Sequence, residues 1–151
     1  MGFHPVRSIA AVLGGAFLLL FMDSTLERTL VGVVSQSMPA TEAAYLAIRN
    51  RPLVLVVSLV THTLASLLCG YIVGRIAGAY EVRHGIAAGV LLAIGYASSF
   101  LSDNPMMPPA WVRIAMVLVT APAIVAGAHV RAEARALRAE EAAGARPKEQ
   151  S

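Results

Sequence analysis

The stretch SLVTHTLASLLCGYIVGRIAG, residues 58–78, decides the fold class. It is almost unbroken apolar sequence without a proline, and it carries a histidine at position 62. A hydrocarbon core of about 30 Å takes about 20 helical residues to cross. Extended back to Leu53, the run reaches that length and reads as a span from Leu53 to about Ile76. Three more runs stand beside it, from about Val6 to Met22, Gly85 to Leu101 and Ala110 to Val130. In lipid each backbone polar group needs a partner within its own segment, so all four are expected to be helices.

Composition points the same way. The 151 residues are 57% hydrophobic and 14% charged, against about 25% charged in ordinary soluble domains. Mean hydropathy is +0.67 and the pI is near 9.5. The arginines stand at the ends of apolar runs, not on a basic face interleaved with aromatics. Lipid headgroups, and not nucleic acid, are therefore the expected partner. The lone Cys69 excludes an intramolecular disulfide and reads as small apolar filler. The first run begins like a signal peptide, but FMDSTLE offers no small-x-small cleavage site, so an uncleaved span is expected.

Between the first two spans, residues 24–50 read as an amphipathic connection. Ser24 and Glu27 have capping-box spacing, and Leu26, Leu30, Val33 and Val34 share a helical face. A second short helix is expected between Pro39 and Pro52. Past Val130 the sequence turns to alanine and mixed charge, which extends the fourth helix to about Ala143 and leaves 144–151 as a disordered tail. The expected fold is thus all-α and integral to the membrane. It is a single four-transmembrane-helix bundle (1–143) with a short extracytoplasmic amphipathic helical connection and a cytoplasmic C-terminal helix extension.

Orientation follows from basic residues. With a cytoplasmic N-terminus the inner side receives Arg7, Arg75, Arg83, Arg131, Arg135, Arg138, Arg146 and Lys148, and the outer side Arg28, Arg49, Arg51 and Arg113. Eight against four places both termini in the cytoplasm.

Within the second span Ser58, His62, Ser66, Gly70, Gly74 and Gly78 recur every four residues, with Thr61 alongside. Gly85, Gly89, Ala93 and Ala97 repeat the spacing in the third span. Such stripes let helices approach closely in lipid, and the short link between these spans suggests an antiparallel hairpin packed stripe on stripe. The same spacing would also serve self-association.

Residues 69–95, CGYIVGRIAGAYEVRHGIAAGVLLAIG, resemble a hairpin of small bacterial four-span membrane proteins, in which the second helix ends in a G-Y-x-x-x-R-I-A-G-like run before a short basic loop. The resemblance implies the same hairpin and a bacterial inner membrane. It brings no catalytic residue with it.

His62 falls near the expected midplane, where an ionisable side chain marks a candidate functional site. No Asp or Glu lies in the central apolar part of any span as delimited, so a neutral imidazole bonded to a serine, a threonine or a backbone carbonyl is expected. Ser58, Thr61 and Ser66 are its neighbours on the stripe. Asp23, Asp103 and Arg113 form an expected outer polar cluster, with Asp23 or Asp103 neutralising Arg113. No phosphate loop, nucleophile elbow, paired catalytic carboxylates or metal-ligand spacing occurs in the sequence. No enzymatic activity, metal or cofactor is therefore expected. The leading expectation is a self-associating or accessory subunit of a membrane complex. The alternative is a small transporter or channel using His62 in an outward-facing polar cavity.

Overall fold

The computed structural model describes residues 5–101 and 107–144. Among them every regular element is helical: α1 (Pro5–Ser35), α2 (Glu42–Arg49), α3 (Pro52–Ala77), α4 (Glu81–Ser98) with a 3-10 turn at Ser99–Leu101, and α5 (Ala110–Gly144). Four of these helices are long and apolar enough to cross a membrane. Of the tail expected over 144–151, Gly144 is the last residue of α5; residues 145–151, and Asp103, lie outside the described residues.

The first span does not end at Met22. α1 continues unbroken to Ser35, and Ser24–Glu27 is helix interior instead of a helix start. Nothing between Met22 and Val34 breaks a helix, and Met22 and Leu26 both pack against the core. The connection expected over 24–50 therefore shrinks to α2 and its flanking turns. Thr41 caps α2, accepting from the Ala44 amide at 3.2 Å. Pro52 sits in the first turn of α3, where its missing N–H is harmless.

The two small-residue stripes correct a second expectation. α3 and α4 do not use them chiefly on each other; both grip α5, whose contact with each is more extensive than theirs together. A Cβ on Gly70 would lie 1.9 Å from the Ile124 carbonyl oxygen, and one on Gly127 would lie 1.9 Å from that of Leu67. Backbone meets backbone at that crossing, which only hydrogen side chains permit. On α4, a Cβ on Gly85 would sit 2.6 Å from Ala128 Cβ. The α4 stripe stops serving the interface after Gly89. Ala93 is half-buried and Ala97 exposed, while Leu92 and Tyr96 carry the packing onward.

α1 closes the bundle against α3. Cys69 donates to the Gly15 carbonyl at 3.1 Å, and a Cβ on Gly15 would strike Val73. At the opposite end from α2, Gly78 ends α3 at φ +69°. There Arg135 lies 2.7 Å from both the buried Glu81 carboxylate and the Gly78 carbonyl oxygen, which ties α5 to the α3–α4 turn.

Candidate functional site

The threonines beside His62 turn away from it. Thr61 and Thr63 donate to their own helix, to the Ser58 carbonyl at 3.0 Å and the Leu59 carbonyl at 2.8 Å. His62 itself is 1% exposed and faces three other helices. Nδ1 lies 2.8 Å from Asp23 Oδ2 of α1, and Nε2 lies 2.9 Å from Thr120 Oγ1 of α5. Tyr96 of α4 donates its hydroxyl to the same Asp23 oxygen. The Tyr96 ring meets the imidazole edge to face at 5.1 Å. One residue from each long helix thus converges on a single polar centre. Ten residues separate His62 from Pro52, and ten separate Thr120 from Ala110, which puts the centre about 15 Å below the α2 end of both helices.

Hydrogen counting constrains the protons. Thr120 has one hydroxyl hydrogen and two acceptors within reach, the Met116 carbonyl oxygen at 2.5 Å and His62 Nε2 at 2.9 Å. With the hydrogen on Met116, Thr120 Oγ1 accepts from Nε2–H, and a further proton lies between Nδ1 and Asp23 Oδ2, since two lone pairs 2.8 Å apart would repel. With the hydrogen turned to Nε2, Nδ1 donates to the Asp23 carboxylate. The two arrangements differ by one proton between α1 and α3 and one hydroxyl rotation in α5.

Asp23 has a second exposure. While one oxygen engages the centre, its side chain is 18% exposed and lines a cavity of about 350 Å³ opening at the α2 end. Tyr96, Glu27, Arg28, Arg49 and Arg113 share that lining. Glu27 accepts from Tyr45 at 2.8 Å and lies 3.9 Å from the buried Arg49 guanidinium, so α2 is fastened over α1. Burial and the Glu27 carboxylate together push the Tyr45 phenol up to about 12. Arg113 donates to the Ser99 carbonyl at 3.0 Å and stacks 4.6 Å over the Phe100 ring, and its Nε is buried without a partner among the described residues.

The expected sites are thus redistributed. His62 is central, and Asp23 belongs to it and not to an ion pair with Arg113. Ser58 and Ser66 have no hydrogen-bond partner for their buried hydroxyls among the described residues, and Thr61 is spent on its own backbone. Gly70, Gly74, Gly85 and Gly89 are packing positions, and Gly78 is a helix terminator. Tyr96 and Thr120 were missed. Each is an ordinary residue in an apolar run, and only the fold joins them to His62. Among the described residues no group of three histidine, cysteine, aspartate or glutamate side chains is placed to hold a metal. Comparison with protein-family models, curated proteins and solved structures returns no match for this chain. The functional reading accordingly rests on the geometry of this centre.

Proposed function

We propose that this is a multi-pass protein of a bacterial inner membrane, termini in the cytoplasm, that takes up and releases a proton at the Asp23–His62 pair in step with a small cargo held in the outward-opening cavity. One observation carries the reading: Asp23 contacts the buried imidazole and lines the cavity at the same time. Proton-coupled carriers commonly use a carboxylate or histidine within the membrane, shielded from lipid and joined to a water-accessible space. Asp23 and His62 fill that role. Tyr96 holds the carboxylate, and Thr120 reports its protonation to α5.

The groups around the pair suit a switch. Asp23 is faced by His62 from α3 and Tyr96 from α4, with Glu27, Arg28, Arg49 and Arg113 further out around the cavity. A cargo anion arriving near the arginines, or a cation near the carboxylates, would change the field on the shared proton. The assembly reading loses the support it drew from the glycine stripes, because Gly70, Gly85 and Gly89 are occupied within the chain.

The deciding measurement is an infrared pH titration of the protein in lipid nanodiscs. The expected result is a protonated-carboxyl band that changes with pH in the wild type, is lost in Asp23→Asn and moves in His62→Gln. A band that ignores pH, or ignores the histidine substitution, removes the proposal.

A further inference from the structure

A second, apolar space adjoins the cavity. Along the seam of α1 and α4 runs an apolar groove of about 490 Å³, lined by Ala16, Leu20, Leu91, Leu92 and Gly95. It shares Leu20, Tyr96, Ser99 and Met107 with the polar cavity, so the two spaces lie side by side against the residue that holds Asp23. The groove is walled by Ala16 and Leu20, four apart on α1, and by two such rows on α4, Leu91 with Gly95 and Leu92 with Tyr96. That geometry fits one hydrocarbon chain lying along the seam.

The polar end selects charge. Asp23 is engaged by His62 and Tyr96, and Glu27 by Tyr45 and Arg49. Among the described residues Arg113, by contrast, meets only a carbonyl oxygen and an aromatic face, and neither its Nε nor its charge has a partner there. Arg28 lines the same cavity, also without an ion-pair partner among them. Among the described residues of the lining, Arg28, Arg49 and Arg113 outnumber Asp23 and Glu27, so their balance is positive.

We infer that the cargo is a single-chain anionic amphiphile, which enters from the bilayer between α1 and α4 with its chain in the groove and its head beside Arg113 and Arg28. This rests on reading the cavity as a cargo site, and it adds the substrate class and the lateral route. The head would then sit within reach of Asp23 and Tyr96. Binding and the shared proton would then be felt by one another.

Gly95 supplies the test, since it lines the groove and a Cβ there meets no atom within 4 Å, so a larger residue would narrow the groove from a point that does not press on the bundle. The probe is radiolabelled dodecyl phosphate, added to the full chain in phosphatidylcholine nanodiscs. Saturable binding is expected, weakened about tenfold or more by Gly95→Leu and by Arg113→Gln. It should be unchanged by Gly14→Leu, a control at an equally open glycine outside the groove. Unaltered binding in Gly95→Leu overturns the inference, as does competition by inorganic phosphate or by phosphatidylglycerol equal to that of unlabelled dodecyl phosphate. The first competitor would mean a site for the head alone, the second a diacyl lipid. Probe binding in a protein whose Asp23 carboxyl band ignores pH would uphold the amphiphile site while removing the proton reading. A responsive band with no probe binding would do the reverse.

Discussion

At the scale of single residues, the centre is held by the matching of donors to acceptors. Thr120 is the most economical place to disturb it, because valine keeps the shape and deletes the hydroxyl that bonds His62 Nε2. Leaving a buried donor or acceptor unmet costs about 1–3 kcal/mol, and Thr120→Val should lower the melting stability in detergent by that order. Thr120→Ser should largely restore it. Equal melting of the valine variant and the wild type would mean that the imidazole has another partner. A double-mutant cycle on Asp23→Asn and His62→Gln extends the test. Residues sharing a network couple by about 0.5–3 kcal/mol, so the double variant should lose clearly less than the sum of the singles; strict additivity would dissolve the pair.

These residues also mark how far the sequence was legible. His62 stood out because an ionisable group deep in an apolar run is rare. Asp23 was visible but misplaced. A carboxylate following Met22 looked like the end of a span, since an unpaired charge is not expected further in. Its partner lies 39 positions away, and no local pattern carries that pairing.

At the scale of elements, length and hydropathy were enough to delimit α3 and α5, and spacing was enough to recognise the glycine stripes. The face they meet was not legible, because small-xxx-small spacing states how close a neighbour comes and not which neighbour it is. The glycines separate into classes that a stability series can test. Gly127→Ala would drive a methyl group into the Leu67 carbonyl of α3, and overpacking of this kind typically costs about 1–3 kcal/mol. Gly14→Ala meets open space within α1, and helix propensity predicts a gain of about 0.5–1 kcal/mol instead. Opposite signs in thermal melts are the expected outcome; similar losses at both positions would mean that α5 does not cross α3 there. The attachment of α2 has its own signature. The Tyr45 phenol is raised to about 12, so the neutral form is favoured in the folded protein. Its contribution is complete below the ordinary phenol value near 10 and is lost as pH rises through about 12. The alkaline fall in melting temperature should therefore be shallower in Tyr45→Phe, and an identical alkaline profile would detach Tyr45 from Glu27.

At the scale of the whole molecule, the direction in which the cavity opens decides what it can do, and charge distribution supplies the expectation. The α2 end carries Arg28, Arg49, Arg51 and Arg113, while the opposite end carries Arg7, Arg75, Arg83 and the α5 series Arg131, Arg135 and Arg138. Basic residues near the anionic cytoplasmic leaflet gain about 1 kcal/mol each, so the end with more of them is drawn inward. The native thiol is suited to the test, because Cys69 is fully buried in the α1–α3 seam and should react little with a membrane-impermeant maleimide. Two exposed positions then report the two sides: Ser37, between α1 and α2, and Ala139, on the extension of α5. In intact cells Ser37→Cys should be labelled from outside, and Ala139→Cys only after the membrane is opened. The reverse pattern would turn the cavity to the cytoplasm, so that Asp23 would meet the interior pH and draw its cargo from the inner leaflet. Labelling of both positions in intact cells would mean that α1, α3, α4 and α5 do not all cross the bilayer as one bundle.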